Sequence, residues 1–227
     1  MEIIKIDANF RKGRMIEKVA AELKRGKVIV YPTETFYGLG CDATNARAVE
    51  KIFKIKGRAE NKALPFLVSS LAMARKYLIL NKQAEKLIKQ FWPVSVPNQS
   101  ELRRGKSGSL SLVLDFSEHG RKVFKRSINK QSFDAGVRIS SHIIATLLVK
   151  KLGKPIISTS ANPSGQPAAS DAQTAINYFK NKKNRPDIIL DAGKLPPSLG
   201  STFVDARNKE LKILRQGSLK LEVKSKK

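Results

Sequence analysis

The sequence predicts an α/β fold: a β-sheet with helices packed on it in a single domain. Two observations carry this. Short runs of β-favouring apolar residues alternate, along the whole chain, with stretches whose apolar residues recur at helical spacing. No internal repeat or low-complexity linker divides the 227 residues, of which 41% are hydrophobic, enough for a real core.

Taken in order, the first residues, Met-Glu-Ile-Ile-Lys-Ile, alternate like a strand. Met15, Ile16, Val19, Ala20 and Leu23 predict an amphipathic helix over 10–24, ended near Gly26. Residues 28–31 form a short apolar run, read as a buried strand. Asn45 can cap a second helix, with Val49, Ile52 and Phe53 inward, that ends in Lys54-Ile-Lys-Gly-Arg58. A strand follows over 64–68. Ser69 or Ser70 then caps a helix reaching Tyr77, and 83–91 makes another, stopped by Trp92-Pro93.

Residues 94–107 are polar, basic and unpatterned, and read as an exposed loop. The strand signal resumes over 110–116, a basic stretch of weak pattern covers 121–130, and 136–139 is a short strand. Ile143, Ile144, Leu147 and Leu148 predict a helix over 142–151, with Gly153 as its stop. A strand over 156–158 enters Thr159-Ser-Ala-Asn-Pro-Ser-Gly165, and Ser170 is placed to cap a helix carrying Ala172, Ala175, Ile176 and Phe179. The last strands fall at 187–190, 202–205 and 211–214. The basic tail, 218–227, is expected to fray.

The formal charge of +25 attracts polyanions such as RNA or nucleotide phosphates; a host with uniformly lysine-rich proteins is the other reading, and composition leaves both open. The single cysteine, Cys41, rules out an internal disulfide framework and suits a reducing compartment. With only His119 and His142 present, no Cys/His metal site and no protein-side metal ligands are expected. No apolar run approaches the roughly 20 residues of a membrane span, and the N-terminus lacks the pattern of a signal peptide. A soluble, cytoplasmic protein without a membrane partner is therefore expected.

Four loops leave strand ends with unusual polar content: 32–40, Lys56-Gly-Arg58 with Lys62, 158–170, and Gly200-Ser-Thr202 followed by Arg215. Ligands of open α/β sheets bind beyond strand ends, so these loops can converge. They supply cations, hydroxyls and one amide, but no nucleophile–base pair. That inventory suits an anionic ligand, with arginine forks for phosphate or carboxylate and hydroxyls for a small polar substrate.

Other signals fail. Gly105-Lys-Ser107 lacks the first glycine of a phosphate-binding loop, because Ser100 stands there, and it follows no strand. Gly38-Leu-Gly40 lies several residues after its strand, whereas a dinucleotide fingerprint makes the strand-to-helix turn itself. Those glycines read as places of close backbone approach. His142 at a helix start reads as structural, Asp191-Ala-Gly193 as a turn, and Cys41 as a small buried hydrophobe.

Taken together, Tyr31-Pro-Thr-Glu-Thr-Phe-Tyr-Gly-Leu-Gly40, Lys56-Gly-Arg58 with Lys62, Gly136-Val-Arg-Ile139, Ser158-Thr-Ser-Ala-Asn-Pro-Ser-Gly165, Ser201-Thr202 and Leu214-Arg-Gln-Gly217 resemble the YrdC family of threonylcarbamoyl-AMP synthases. The motifs stand in the family's order and spacing over 16–217. The resemblance implies a YrdC-like α/β domain over 1–217, a twisted, mostly antiparallel or mixed β-sheet with helices packed on it and a concave basic site. It implies that L-threonine and bicarbonate or CO2 form a carbamate, which attacks the α-phosphorus of ATP to give threonylcarbamoyl-adenylate and pyrophosphate. A partner transferase complex then uses the adenylate to modify adenosine 37 of tRNA. ATP is thus a substrate, with Mg2+ on its phosphates.

Carried over to this chain, the resemblance assigns Lys56 and Arg58 to catalysis. It assigns Thr35, with Thr33 and Tyr37 beside it, and Arg138, Ser160 and Ser201 to threonine, with Arg138 on its carboxylate. It assigns Arg58, Lys62, Asn162, Ser170 and Arg215 to ATP. The sequence departs from the family in two places. An insertion over 94–107, about 14 residues, precedes a degenerate copy of the family's Pro-Gly-Pro-Leu-Thr turn. Asp134 stands where the family often has a threonine near the nucleotide, and would repel ATP unless magnesium intervenes. The short, single-domain type is expected. Two other readings remain at this point: a tRNA- or double-stranded-RNA-binding, ribosome-maturation module of the same fold, and a YrdC-like domain acting on another carbamoyl compound.

Overall fold

The computed structural model describes residues 1–6, 14–93, 110–124, 127–128 and 134–221. The insertion expected at 94–107 lies outside the described residues. The elements are β1 (Glu2–Lys5), α1 (Met15–Lys24), β2 (Ile29–Tyr31), β3 (Gly38–Gly40), α2 (Ala46–Lys56), β4 (Phe66–Leu67), α3 (Leu71–Tyr77), α4 (Lys82–Phe91), β5 (Leu110–Asp115), α5 (Glu118–Phe124), β6 (Asp134–Arg138), α6 (Ile143–Leu152), β7 (Ile156–Ile157), β8 (Thr159–Ser160), α7 (Ala172–Phe179), β9 (Ile188–Asp191), β10 (Thr202–Asp205) and β11 (Lys212–Arg215). The mixed α/β class is as predicted. The single sheet is instead two, ordered β1-β9-β2-β3-β8 and β11-β10-β5-β6-β4-β7, and both mix parallel with antiparallel pairs.

Strand β2 shows why one short apolar run organises so much. Successive side chains point to opposite faces of a sheet. Val28 and Val30 therefore enter the larger apolar cluster with Leu39, Ile52 and Phe66, while Ile29 and Tyr31 enter a second cluster with Leu23, Leu148 and Leu152 of α1 and α6. A run apolar at every position is what burial on both faces requires.

The two sheets meet where the chain passes from β7 to β8 with only Ser158 between them. The Ile157 N–H donates to Cys41 O at 2.9 Å, Tyr31 Oη donates to Ile157 O at 3.2 Å, and Ala161 N–H donates to Tyr37 O at 2.8 Å. A Cβ on Gly40 would lie 2.1 Å from Ile157 O and 2.8 Å from the Tyr31 ring. Gly40 is thus a position of close approach, as expected, but within a strand that pairs with β2 rather than in a loop.

Helix ends follow local chemistry. Asn45, Ser70 and Asn81 accept from Ala48, Met73 and Ala84 N–H at 3.1, 3.1 and 2.9 Å. Gly57 ends α2 in the left-handed region at φ 58°, where a side chain would strain the backbone. His142 Nδ1 caps α6 by accepting from Ile144 N–H at 3.3 Å, the structural role expected of it. Ser170 does not cap α7. Asp171 does, accepting from Thr174 N–H at 2.7 Å and Oγ1 at 2.9 Å, because its carboxylate offers two acceptors where a hydroxyl offers one oxygen.

Two further differences have local causes. Helix α5 falls where only a weak basic pattern was read, since its seven residues bury just Gly120 and Phe124. Phe124 nevertheless packs at 4.9–5.4 Å from the rings of Phe66, Tyr77 and Phe116. The start of the tail does not fray: Ser218 N–H donates to Gly200 O at 2.9 Å, and Gln216 Nε2 donates to Leu219 O at 2.6 Å.

Gly40→Ala should destabilise the fold by about 3 kcal/mol or more, since the methyl meets backbone that cannot yield. Urea unfolding monitored by circular dichroism checks this; an unchanged midpoint would mean that the seam can open without loss.

Candidate functional site

A cavity of about 320 Å³ opens where the loops after β2, α2, β8 and before β10 converge. Its wall is lined by Arg58, Arg138 and Arg215 and by seven serines and threonines: Thr33, Thr35, Ser111, Ser158, Thr159, Ser160 and Ser201. Among the described residues it carries no carboxylate. All four predicted loops are represented, which places them together as expected.

The Thr33–Thr35 turn is fixed by its own hydrogen bonds. Thr33 Oγ1 donates to Phe36 O at 2.6 Å and accepts from Thr35 N–H at 3.2 Å. Its single proton is thereby used, so in the 3.1 Å contact between the two hydroxyls Thr35 is the donor. The Tyr37 hydroxyl points elsewhere. It donates to Gly193 O at 2.7 Å and accepts from Ala192 N–H at 2.9 Å, pinning the turn that Asp191 closes through Gly193 N–H. Burial pushes this phenol up to about 12. Tyr37 therefore contributes ring surface to the cavity, not a polar contact.

On the opposite wall, Arg215 donates from Nε and Nη2 to Ser201 O at 3.1 and 2.7 Å, and its guanidinium stacks 4.7 Å from the centre of the Phe203 ring. Ser201 Oγ accepts from Arg215 Nη2 and Ser111 Oγ, each at 3.2 Å. With both lone pairs engaged, its proton is directed to whatever enters the cavity. Arg58 donates from Nη2 to Ala63 O at 3.0 Å, while its buried Nε has no partner among the described residues. An unpaired buried donor on a cation is costly, and an anion in the cavity would relieve it.

Arg138 is 7% exposed and ion-paired through Nη1 with Glu34 Oε1. Burial pulls its pKa down to about 10, which leaves the group charged at neutral pH. Sequence reasoning singled out Glu34's loop but gave Glu34 no role. It also missed Ser111, whose signal was a hydroxyl between leucines in a strand with both neighbours buried.

Four expected contacts lie off the cavity wall: Lys56, Lys62, Asn162 and Ser170. Lys56 is 3% exposed, and its ammonium donates to Ser160 O, Asn162 O and Asn162 Oδ1 at 2.6, 2.8 and 3.0 Å. Its own carbonyl accepts from Ser164 N–H at 2.7 Å. Burial, and the neighbouring charge of Arg58 after it, pull its pKa down to about 8, which leaves it protonated at neutral pH. Asn162 is equally committed: Oδ1 accepts from Lys56 and from Ser160 Oγ, and Nδ2 donates to Gln166 O. Lys56 and Asn162 thus build the 160–166 loop that presents Ser160. Lys62 is solvent-exposed, and Ser170 Oγ lies 3.5 Å from Asp171 Oδ2. Asp134 does not line the cavity; its carboxylate is held by Arg207 Nη1 at 2.6 Å.

A family model described as "Telomere recombination", for the Sua5, YciO and YrdC proteins, matches residues 21–217. The chain belongs to this family. A curated "Threonylcarbamoyl-AMP synthase" of Pyrococcus abyssi is 33% identical over 91% of this chain, which spans 55% of that relative's length. A "Putative threonylcarbamoyl-AMP synthase" of Mycobacterium leprae is 32% identical over 91% of this chain and 84% of its own length. Among solved structures, P. abyssi Sua5 complexed with L-threonine superposes with TM-score 0.78 at 29% identity, covering 95% of this chain and 57% of that one. E. coli YciO superposes with TM-score 0.75 at 24% identity, a likeness of fold, covering 95% and 94%.

Lys56→Met keeps the length of the side chain but takes the charged donor away from Ser160 O, Asn162 O and Asn162 Oδ1. The loss expected is about 2 kcal/mol or more, with increased proteolytic cleavage at 160–166. Limited proteolysis with mass spectrometry checks the location; cleavage elsewhere would mean that the lysine does not hold this loop.

Proposed function

We propose that this protein is a threonylcarbamoyl-AMP synthase that joins L-threonine, bicarbonate and ATP into threonylcarbamoyl-adenylate and pyrophosphate. The observation that carries the reading is the wall of the cavity: three arginines and seven serines and threonines, with no carboxylate and no nucleophile–base pair among the described residues. Such a wall binds anions and a small polar molecule but offers no covalent route. That suits a reaction in which the substrates supply nucleophile and leaving group, and the protein positions them and neutralises charge.

In this reading the threonine carboxylate pairs with Arg138, and the Thr35 and Ser201 hydroxyls hold the amino acid. The carbamate oxygen formed on its amine attacks the α-phosphorus. Arg58, with its unpaired Nε, and Arg215, held against Phe203 and Ser201, carry the negative charge that builds on the phosphates and departs with pyrophosphate. Ser160 reaches the cavity from the loop that Lys56 and Asn162 fix, so these two act by positioning it. Lys62, exposed beside Arg58, is left to the outer phosphates.

Magnesium belongs to the nucleotide substrate here. Among the described residues, none on the cavity wall is a carboxylate, and no group of His, Cys, Asp and Glu is able to hold a metal. The ion would be held by phosphate oxygens and water.

The product is a reactive adenylate, which fits a partner transferase acting on tRNA. The +25 charge supports contact with tRNA in the same complex. A cytoplasmic location goes with this role; no helix among the described residues is long and apolar enough to cross a membrane.

The test is pyrophosphate release with ATP, bicarbonate and each amino acid in turn. Release is expected with threonine and should fall at least about a hundredfold in Arg58→Ala with little change in melting temperature. Absence of release, combined with tight binding of tRNA or duplex RNA, would instead establish an RNA-binding module.

A further inference from the structure

The cavity must hold two anionic ligands side by side, a carboxylate and a polyphosphate, using arginines close enough to repel one another: Arg215 acts electrostatically on Arg138. Nothing in three like charges tells the ligands apart. The distinction lies one layer behind the wall. Glu34 is largely buried, with 13% of its side chain exposed, against 9% for Arg138. Its Oε1 makes no hydrogen bond among the described residues besides this ion pair with Arg138. Its Oε2 accepts from Ser140 Oγ.

The direction of that last bond is fixed. Ser140 Oγ accepts from His142 N–H at 3.1 Å, at the start of α6, so the proton of Ser140 is turned toward Glu34. The Ser140 carbonyl is in turn held by Thr146 Oγ1 at 2.7 Å. The carboxylate is therefore anchored by the helix on one side and set against Arg138 on the other. No comparable carboxylate is paired with Arg58 or Arg215 among the described residues. The three arginines are thus unequal in charge: one is cancelled and two are not.

We propose that Glu34 is a specificity-determining residue that partitions the two anions. By cancelling the charge of Arg138 and occupying Nη1, it leaves that guanidinium a fork for a single carboxylate whose own charge is offset by an ammonium. A phosphate, with no internal cation, gains nothing there and is directed to Arg58 and Arg215. This rests on the synthase reading and names the residue that keeps its two substrate pockets distinct.

The test is titration calorimetry of L-threonine into the whole protein, with and without inorganic phosphate, so that no turnover is needed. In the wild type, phosphate should leave threonine affinity unchanged. In Glu34→Gln, which keeps the shape but removes the charge, phosphate should compete and weaken threonine at least about fivefold. Ser140→Ala, which only loosens the carboxylate, should shift in the same direction by less. It is the variant to read if Glu34→Gln does not fold, which its melting curve shows. Competition already present in the wild type overturns the proposal, as does phosphate indifference in a folded Glu34→Gln. A wild type that binds no threonine at all overturns the synthase reading, and the partition falls with it.

Discussion

The contact on which the rest of this structure depends is the approach of β3 to the carbonyl of Ile157. Two sheets that would otherwise be separate layers are joined there by a chain that crosses with one residue between strands. The crossing puts Tyr37, Ser160 and the Thr33–Thr35 turn against one another, because Tyr37 O takes the N–H of Ala161 just after β8. Glycine at position 40 is a steric condition of the site, although it touches no ligand.

Cations are handled in three ways within this small volume. Lys56 is satisfied by neutral oxygens and becomes a strut. Arg138 is met by a carboxylate. Arg58 keeps an unpaired nitrogen and Arg215 is steadied by a ring and a carbonyl. Desolvating a charge costs several kcal/mol unless it is compensated. The degree of compensation therefore separates groups that build the site from those whose charge remains available to a ligand.

Much of this was legible in the sequence, and what was not has identifiable causes. Helices with apolar periodicity and a short polar cap, such as those begun by Asn45 and Ser70, are local objects and were read nearly to the residue. The strand Gly38–Gly40 was not, because glycine has no propensity to show and the reason for it lies across the fold at Ile157. The motifs located Arg58, Arg138, Ser160 and Ser201 at the cavity. They could not show that the ammonium of Lys56 and the amide of Asn162 turn inward, since direction depends on which carbonyls surround a side chain. Glu34 shows the same limit: its loop was singled out, yet its partners, Arg138 and Ser140, lie over a hundred residues away.

The lone thiol sits next to this seam. Cys41 follows Gly40, is fully buried, and its carbonyl takes the Ile157 N–H; burial raises its pKa well above the usual thiol range. Without thiolate or access it is inert while the sheets are joined. Its labelling by an alkylating reagent would report how often β3 parts from Ile157, a built-in clock for opening between the two sheets that needs no engineered probe.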